Sequence, residues 1–468
     1  MTARPPRPDT ALERRLGPLD GAAIVVSNVI GGGIFFVPPI VALMVPHAGA
    51  MLGVWLAGGL LALAGAMAYA ELATLRPRAG GEYVYLHEAY GPLAAFLTGW
   101  TSFVAGFSGA IAASAVGLAD YLGRFVPAAG VTAAILTVPL PGFPLTVSPR
   151  ALVALAAIAA LSVVHMRGLG PGRVVQNTLA GLKVSGLLLF VAVGLALAGG
   201  ASAPAASSTD VPAAGMLMAL VPVMFTYSGW NAAAYVAEEI RDPGRNVPIA
   251  LGLGTGTVIV IYLALNVLYL AAYPVDELAA LQGGLMDGVA ERLFGLRFGV
   301  ADLVTVFTII SIAASISAMT LAGPRVYYAM ARDGLFLGPA ARVHPRYRTP
   351  AVAIAAQGLW SGVLVLSGTL TELVSYTGFA VVLFSAVAVT GLFVLRWRHP
   401  AEPRPFSAWG YPYTPAVFVL AAAVMLVSDV AQRPRPALAG AVVICAGIPL
   451  YLWLRRRPAR PRAAAPRG

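Results

Sequence analysis

Apolar stretches of about 17–25 residues, the length a bilayer crossing needs, recur along almost the whole chain from Gly21 to the C-terminal arginines. In lipid every backbone N–H and C=O must be bonded within the protein, so segments of this kind form helices. No polar region between them is large enough for a separate soluble domain. Only 11% of the residues are charged and 59% are hydrophobic, whereas about a quarter are charged in a soluble globular chain. The sequence therefore predicts an all-α integral membrane protein.

Several function classes fall away on residue usage. Cys445 is the single cysteine, so no disulfide within the chain and no thiolate metal site can form. The five histidines (His47, His87, His165, His344, His399) are scattered, without the HExxH spacing of a membrane metalloprotease. No cofactor is expected. The net charge of +11 reflects arginine-rich loops beside the spans rather than a nucleic-acid surface. The polar start, Met1 to Asp20, leads into a full-length span, so no cleavable signal peptide is expected.

Twelve spans are predicted, at 20–46, 49–73, 93–123, 150–166, 174–199, 213–239, 247–273, 298–330, 350–367, 371–396, 413–430 and 436–454. Of the 31 basic residues, 24 fall in one set of loops and tails and six in the other, with Lys183 inside a span. The richer set includes Arg14, Arg15, Arg76, Arg78, Arg325, Arg332 and the Arg455–Arg467 tail. The positive-inside rule then places both termini in the cytoplasm of a multi-pass cytoplasmic-membrane protein. The expected organisation is a cytoplasmic tail (1–19), a first five-helix repeat (20–199), an extracytoplasmic linker (200–212) and a second five-helix repeat (213–396). Two peripheral helices (413–454) and a cytoplasmic Arg-rich tail (455–468) follow. That tail is expected to stop transfer and hold anionic lipid. The outer loop 274–297, with Asp276, Glu277, Asp287 and Glu291 among apolar residues, is expected to form a short amphipathic helix on the outer surface.

Two of these spans are poor helices. "SNVIGGGIFFVPP" (Ser27–Pro39) sets three glycines and two prolines inside the first. Five spans later, "VPVMFTYSGWNAAAYVAEEIRDPGRNVP" (Val221–Pro248) clusters Thr226, Ser228, Gly229 and Asn231 in mid-span, after Pro222 has removed a helix donor. Five is odd, so two five-span halves enter the membrane from opposite sides as an inverted repeat. Interrupted helices at matching places of such halves point to a binding site near the midplane. Unwinding exposes N–H groups that suit a carboxylate and carbonyls that suit an ammonium. Taken alone, Gly31–Gly33 fit close helix packing equally well; the second broken span favours the ligand site.

At these residues the chain resembles the amino acid–polyamine–organocation transporter superfamily, in its amino-acid-exchanger-like and bacterial permease branches. "LDGAAIVVSNVIGGGIFFVP" resembles the family's first span, and "ELATLRPRAGGEYVYLHEAYGP" its loop between spans 2 and 3. "FTYSGWNAAAYVAEEIRDPGRNVP" resembles its sixth span and exit, and "GPRVYYAMARDGLF" the end of its eighth. The resemblance covers residues 18–400 and implies a LeuT-like fold: a 5+5 inverted repeat with broken helices 1 and 6, plus two peripheral helices. It implies that the backbone at Ile30, Gly31, Gly32 and Gly33 receives the substrate carboxylate. Phe225 would close over the substrate, Thr226 and Ser228 would offer carbonyls to its ammonium, and Asn231 would line the pocket. Gly32 stands where many relatives have Ser, so backbone donors would have to serve alone.

Lys183, the only lysine, falls about nine residues into the fifth span, ~14 Å deep and near the midplane of a ~30 Å core. Snorkelling cannot rescue a lipid-facing lysine there, so it faces the interior. A structural lysine bonded to carbonyls is one reading; a coupling site is the favoured one. The resemblance implies that its ammonium occupies the place of a sodium ion, bridging the first-span break to Thr308, Ser311, Ser315, Ser317 or Thr320 of the eighth span. A titrating Lys183 implies proton coupling and a permanently charged one implies exchange; the sequence leaves both open. Glu71, Asp120, Glu238, Glu239, Asp302 and Glu372 all fall at or near span ends, and no acid is placed mid-span to meet a cationic side chain. Glu238, Glu239, Arg241, Asp242, Arg245 and Asn246 form a charged cluster at the sixth-span exit. It fits a latch on the Arg76–Arg78 loop as well as an ordinary solvated loop.

These readings imply a secondary active transporter of amino acids with neutral side chains. It would work by alternating access as a proton symporter or an exchanger, and would not be an enzyme. A cationic amino acid or polyamine carrier of the same fold is the alternative. A membrane-embedded enzyme or sensor would need a catalytic dyad, a metal cluster or a signalling domain, none of which is visible. The expected partners are the amino acid substrate, protons in the symport case, and membrane lipids. Nucleic acid is not among them, and no partner subunit is indicated.

Overall fold

The computed structural model describes residues 12–139, 144–198, 213–281, 285–295, 299–368, 370–432 and 434–456. The linker at 200–212, residues 1–11 of the first tail and 457–468 of the last lie outside them.

The first expected span is two helices, α1 (Pro18–Val29) and α2 (Gly33–Met44), which diverge by 54°. α3 (Ala48–Leu75) follows, its first turn capped by His47 Nδ1, which accepts from the Ala50 N–H at 3.1 Å. A short helix, α4 (Glu82–Tyr90), leads into α5 (Pro92–Thr101), a π-helical turn at Ser102–Gly106, and α6 (Phe107–Leu122), which together make one span. The wide turn, closed by the Phe107 N–H on Ser102 O, leaves its carbonyls open to neighbouring side chains. Tyr327 Oη donates to Ser102 O at 3.1 Å and Trp360 Nε1 to Val104 O at 3.0 Å.

The outer loop before α7 (Pro149–Met166) carries one antiparallel hairpin, β1 (Leu136–Val138) paired with β2 (Leu145–Val147). The expectation of helices alone missed this short element. α8 (Leu169–Leu197) starts after Gly168, whose φ of 136° turns the chain back at once. α9 (Ala213–Thr226) and α10 (Ala232–Tyr235) are the two pieces of the second broken segment. α11 (Pro243–Ala272) then runs as one long helix.

Loop 274–297 holds two short helices, α12 (Val275–Ala280) and α13 (Leu285–Phe294). They bury Val275, Leu278, Leu285, Met286, Val289 and Ala290, and α12 lies against α2. The amphipathic pattern is thus spent on docking over the bundle. α14 (Val300–Arg332), α15 (Ala351–Ser367), α16 (Leu370–Arg398), α17 (Tyr413–Gln432) and α18 (Pro434–Arg456) complete the order.

Among the described residues nine helices are long and apolar enough to cross a membrane, or ten spans with the bent α1–α2 pair. The other two expected spans correspond to α9, which stops at Thr226, and to the 17-residue α15. One core joins the inward faces of most of these helices, with α1 packed between α11, α8 and α14.

Candidate functional site

α1 ends at Val29 because the next residues cannot hold a helix cheaply: glycine costs about 1 kcal/mol against alanine at each position. The N–H groups of Gly33 and the residues after it form the first turn of α2, where helix geometry leaves donors without intrahelical acceptors. The carbonyls that α1 frees at its other end are met by side chains. Lys183 Nζ, on fully buried α8 surface, donates to Ile30 O at 2.5 Å, Ser27 O at 3.2 Å and Ser315 Oγ at 3.0 Å. Ser315 Oγ in turn donates to Ser27 O at 2.9 Å. A cation is well placed there, since the C-terminal end of a helix carries the negative end of its dipole.

The second break follows Thr226. Gly229 adopts φ +100°, a region costly for other residues, and it packs against Asn28. A Cβ there would meet Asn28 Nδ2 at 2.8 Å. The two breaks are tied by Tyr262 of α11, whose hydroxyl lies 3.0 Å from Val29 O and 3.1 Å from Thr226 O. Gly33 touches Thr226 so closely that a Cβ would come within 3.0 Å of its Cγ2.

Between the breaks lies a cavity of about 720 Å³. Gly31, Gly32, Gly33, Phe225, Ser228 and Asn231 line it, so six of the nine residues expected from sequence share one wall. Ile30, Thr226 and Lys183 stand behind that wall. Ile30 and Thr226 are buried, and their carbonyls are taken by Lys183 and Tyr262. Lys183 approaches the site through the α1 carbonyls rather than through the cavity. Phe225 is 44% exposed and its ring faces Gly378 of α16. The π-helical turn contributes Ser102 and Gly106 to the opposite side. Asp120, near a span end as expected, reaches the cavity rim, where Arg150 Nη1 donates to it at 3.3 Å.

Taken as a motif, the loop between spans 2 and 3 gives no sign that Glu82 belongs to the site, yet its side chain is buried against the cavity. Gly80 (φ 116°) and Gly81 (φ 50°) fold that loop inward. A Cβ on Gly80 would strike Ala329, and one on Gly81 would strike the Tyr235 ring at 2.6 Å. Tyr69 Oη donates to Glu82 Oε1 at 2.6 Å, and Asn231 Nδ2 donates to the same oxygen at 2.8 Å. The signal in the sequence was the pair of glycines before an acid, followed by "YVYL", which is buried throughout.

Below Glu82 the cluster at the sixth-span exit is closed. Arg325 grips Glu239 through two nitrogens at 2.9–3.1 Å, both side chains fully buried. Glu238 accepts from the Ala79 N–H and pairs with Arg332, so the cluster does clasp the loop after α3. Its partner there is backbone rather than Arg76 or Arg78. Leu16 bridges to Ile240 as a parallel strand pair, strapping the start of α1 to the same exit. No group of three or more metal-ligating side chains occurs among the described residues.

A polytopic bundle that unwinds two helices around one largely apolar cavity carrying a few polar groups is the architecture of a membrane carrier. The chain belongs to the amino acid permease family, whose model matches residues 16–448; it is an amino acid transporter, and the family implies a LeuT-like fold. It is 29% identical over 433 residues to mouse b(0,+)-type amino acid transporter 1, covering 91% of this chain and 84% of that one. It is 27% identical over 451 residues to human large neutral amino acids transporter small subunit 2, covering 94% and 80%. To the cystine/glutamate transporter of Pongo abelii it is 28% identical over 445 residues, covering 94% and 85%.

Proposed function

We propose that the protein is a secondary active transporter that carries amino acids with neutral side chains across the cytoplasmic membrane by alternating access. Its twelve spans would form two inverted five-span repeats and a peripheral pair, with both termini cytoplasmic. The observation that carries the reading is the cavity bounded by both helix breaks, whose size falls within the ~300–1,000 Å³ of small-molecule sites. The substrate carboxylate would sit at the first turn of α2, on N–H groups from Gly31 onward. Its ammonium would meet the carbonyl of Ser228 and the free lone pair of Thr226. Phe225 would fold over it, and Lys183 would hold the first break in register with α14, either as a titrating group or as a fixed charge. The buried Glu239–Arg325 pair would then close the cavity on the cytoplasmic side.

A competition panel in proteoliposomes tests this: labelled leucine uptake challenged with serine, arginine and putrescine, with and without a pH gradient and with and without internal amino acid. Competition by serine alone supports the neutral reading. Stronger competition by arginine or putrescine than by serine would replace it with the cationic or polyamine reading, which the presence of Glu82 in the cavity favours. Replacing Phe225 by Ala should abolish most uptake while insertion and melting stay nearly unchanged, the residue being almost half exposed; wild-type uptake by that variant removes the lid.

A further inference from the structure

Glu82 carries more chemistry than a structural network requires. Three neutral donors converge on a single oxygen: Tyr69 Oη at 2.6 Å, Asn231 Nδ2 at 2.8 Å and Ser385 Oγ at 3.4 Å all reach Oε1. The Tyr235 hydroxyl is a fourth neutral partner of the carboxylate, and among the described residues no Lys, Arg or His forms an ion pair with it. The cage therefore orients the group without neutralising it. A buried carboxylate without a counter-ion is expensive, and its cost is relieved by whatever cation can enter.

The groups that face Glu82 supply none. Tyr69 on α3, Tyr85 on α4 and Tyr235 beside Asn231 are phenols. α5 brings the hydroxyls of Thr98 and Thr101 to the same cavity, and α16 brings Ser385. The cations of the packed helices are committed elsewhere: Arg325 to Glu239, Arg332 to Glu238 and Arg396 to Glu71. Lys183 is committed to the α1 carbonyls. Burial, the largest influence, lifts the Glu82 carboxyl above its ordinary range, against the lowering effect of its hydrogen bonds to Tyr69, Tyr235, Ser385 and Asn231.

We propose that Glu82 is the cation-accepting residue of the transport cavity, its Oε2 taking either a proton or the side-chain ammonium of a cationic amino acid, and never both. The assignment rests on the transport reading above and names a substrate class within it. On the open side a proton from water forms an O–H bond at Oε2, and a neutral amino acid is then carried together with that proton. A lysine-like side chain instead displaces the proton to water and lies against the carboxylate. The loaded cavity has the same net charge in both cases, so one site serves both classes.

The test uses the full chain in proteoliposomes with labelled leucine, unlabelled lysine as competitor, and outside pH varied from acid to alkaline. Wild-type leucine uptake should fall as pH rises, and lysine should compete better over the same range. Glu82→Gln keeps the shape and the hydrogen bonds but cannot ionise. Its leucine uptake should lose the pH dependence, and lysine competition should weaken by more than about tenfold, the cost of removing one partner of a buried charge pair. Ser385→Ala removes one donor to the carboxylate, so its leucine profile should keep its shape with the midpoint moved to higher pH. Glu82→Gln with a wild-type pH profile and wild-type lysine competition would overturn the assignment while leaving the transport reading intact. Should Glu82→Gln fail to insert, an unmoved midpoint in Ser385→Ala overturns it instead. Wild-type protein that takes up no leucine overturns the transport reading, and this proposal with it.

Discussion

The two breaks solve one problem in opposite ways. At the first, unwinding is compensated by fixed hydrogen-bonding groups from other helices: the ammonium of Lys183, the hydroxyl of Ser315 and the phenol of Tyr262 bind the loose carbonyls of Ser27, Val29 and Ile30. At the second, Tyr262 holds only the Thr226 carbonyl, and the turn itself is permitted by backbone freedom at Gly229 and by its fit against Asn28. A break held by several polar partners keeps its shape as long as the helices that carry those partners stay in place. One held by a turn can change shape at the cost of a few dihedral angles. We propose on this basis that α1–α2 is the rigid half of the site and α9–α10, where Phe225 lies, the movable half.

The sharpest way to break the comparison is Lys183→Ala. It strips donors from two buried carbonyls, so uptake should be nearly lost and the fold should weaken by about 1–3 kcal/mol, read as a lower melting temperature in detergent. Uptake and melting both at wild-type level would show that the first break needs no cation. Gly229→Ala should come next. Its φ and the close approach of Asn28 both oppose a side chain, at about 1–3 kcal/mol. If the second break is the movable half, turnover should fall by about tenfold or more with KM little changed, whereas a large rise in KM alone would place the glycine in static binding. Tyr262→Phe removes one shared hydroxyl and should cost about 1 kcal/mol. The smallest effect should come from Gly32→Ser, where the added Cβ meets only the half-exposed Phe36 ring at 3.3 Å. If backbone donors alone now hold the carboxylate, KM should drop severalfold; an unchanged KM would put the carboxylate elsewhere.

Most of the helical architecture was legible because lipid forbids alternatives, and the span pattern carries that constraint directly. The glycines, Pro222 and the Thr-Ser-Gly-Asn cluster announced the breaks by weakening helices where the environment demands them. Lys183 announced itself by its price, as a lone charge in an apolar run. Other features depend on tertiary contacts that no local pattern encodes. The hairpin at 136–147 and the π-helical turn at Ser102–Gly106 are of this kind; the latter is stabilised by Tyr327 and Trp360 from distant helices. Glu82 escaped for a related reason. Its position along the chain lies outside every apolar run, and only the inward fold of the loop brings it into the bundle.

That loop has a consequence for timing. Gly80 and Gly81 are wedged between Ala329 of α14 and the Tyr235 ring of α10, and the Gly80 N–H donates to Tyr235 O at 3.1 Å. Tyr235 also holds Asn231, which holds Glu82. Displacement of α10 cannot leave the wedge seated and the Glu82 cage intact at once. If Glu82 carries an ion as proposed, opening of the path and release of the carboxylate's partners would be mechanically one event, and the ion would be discharged only when there is water to receive it.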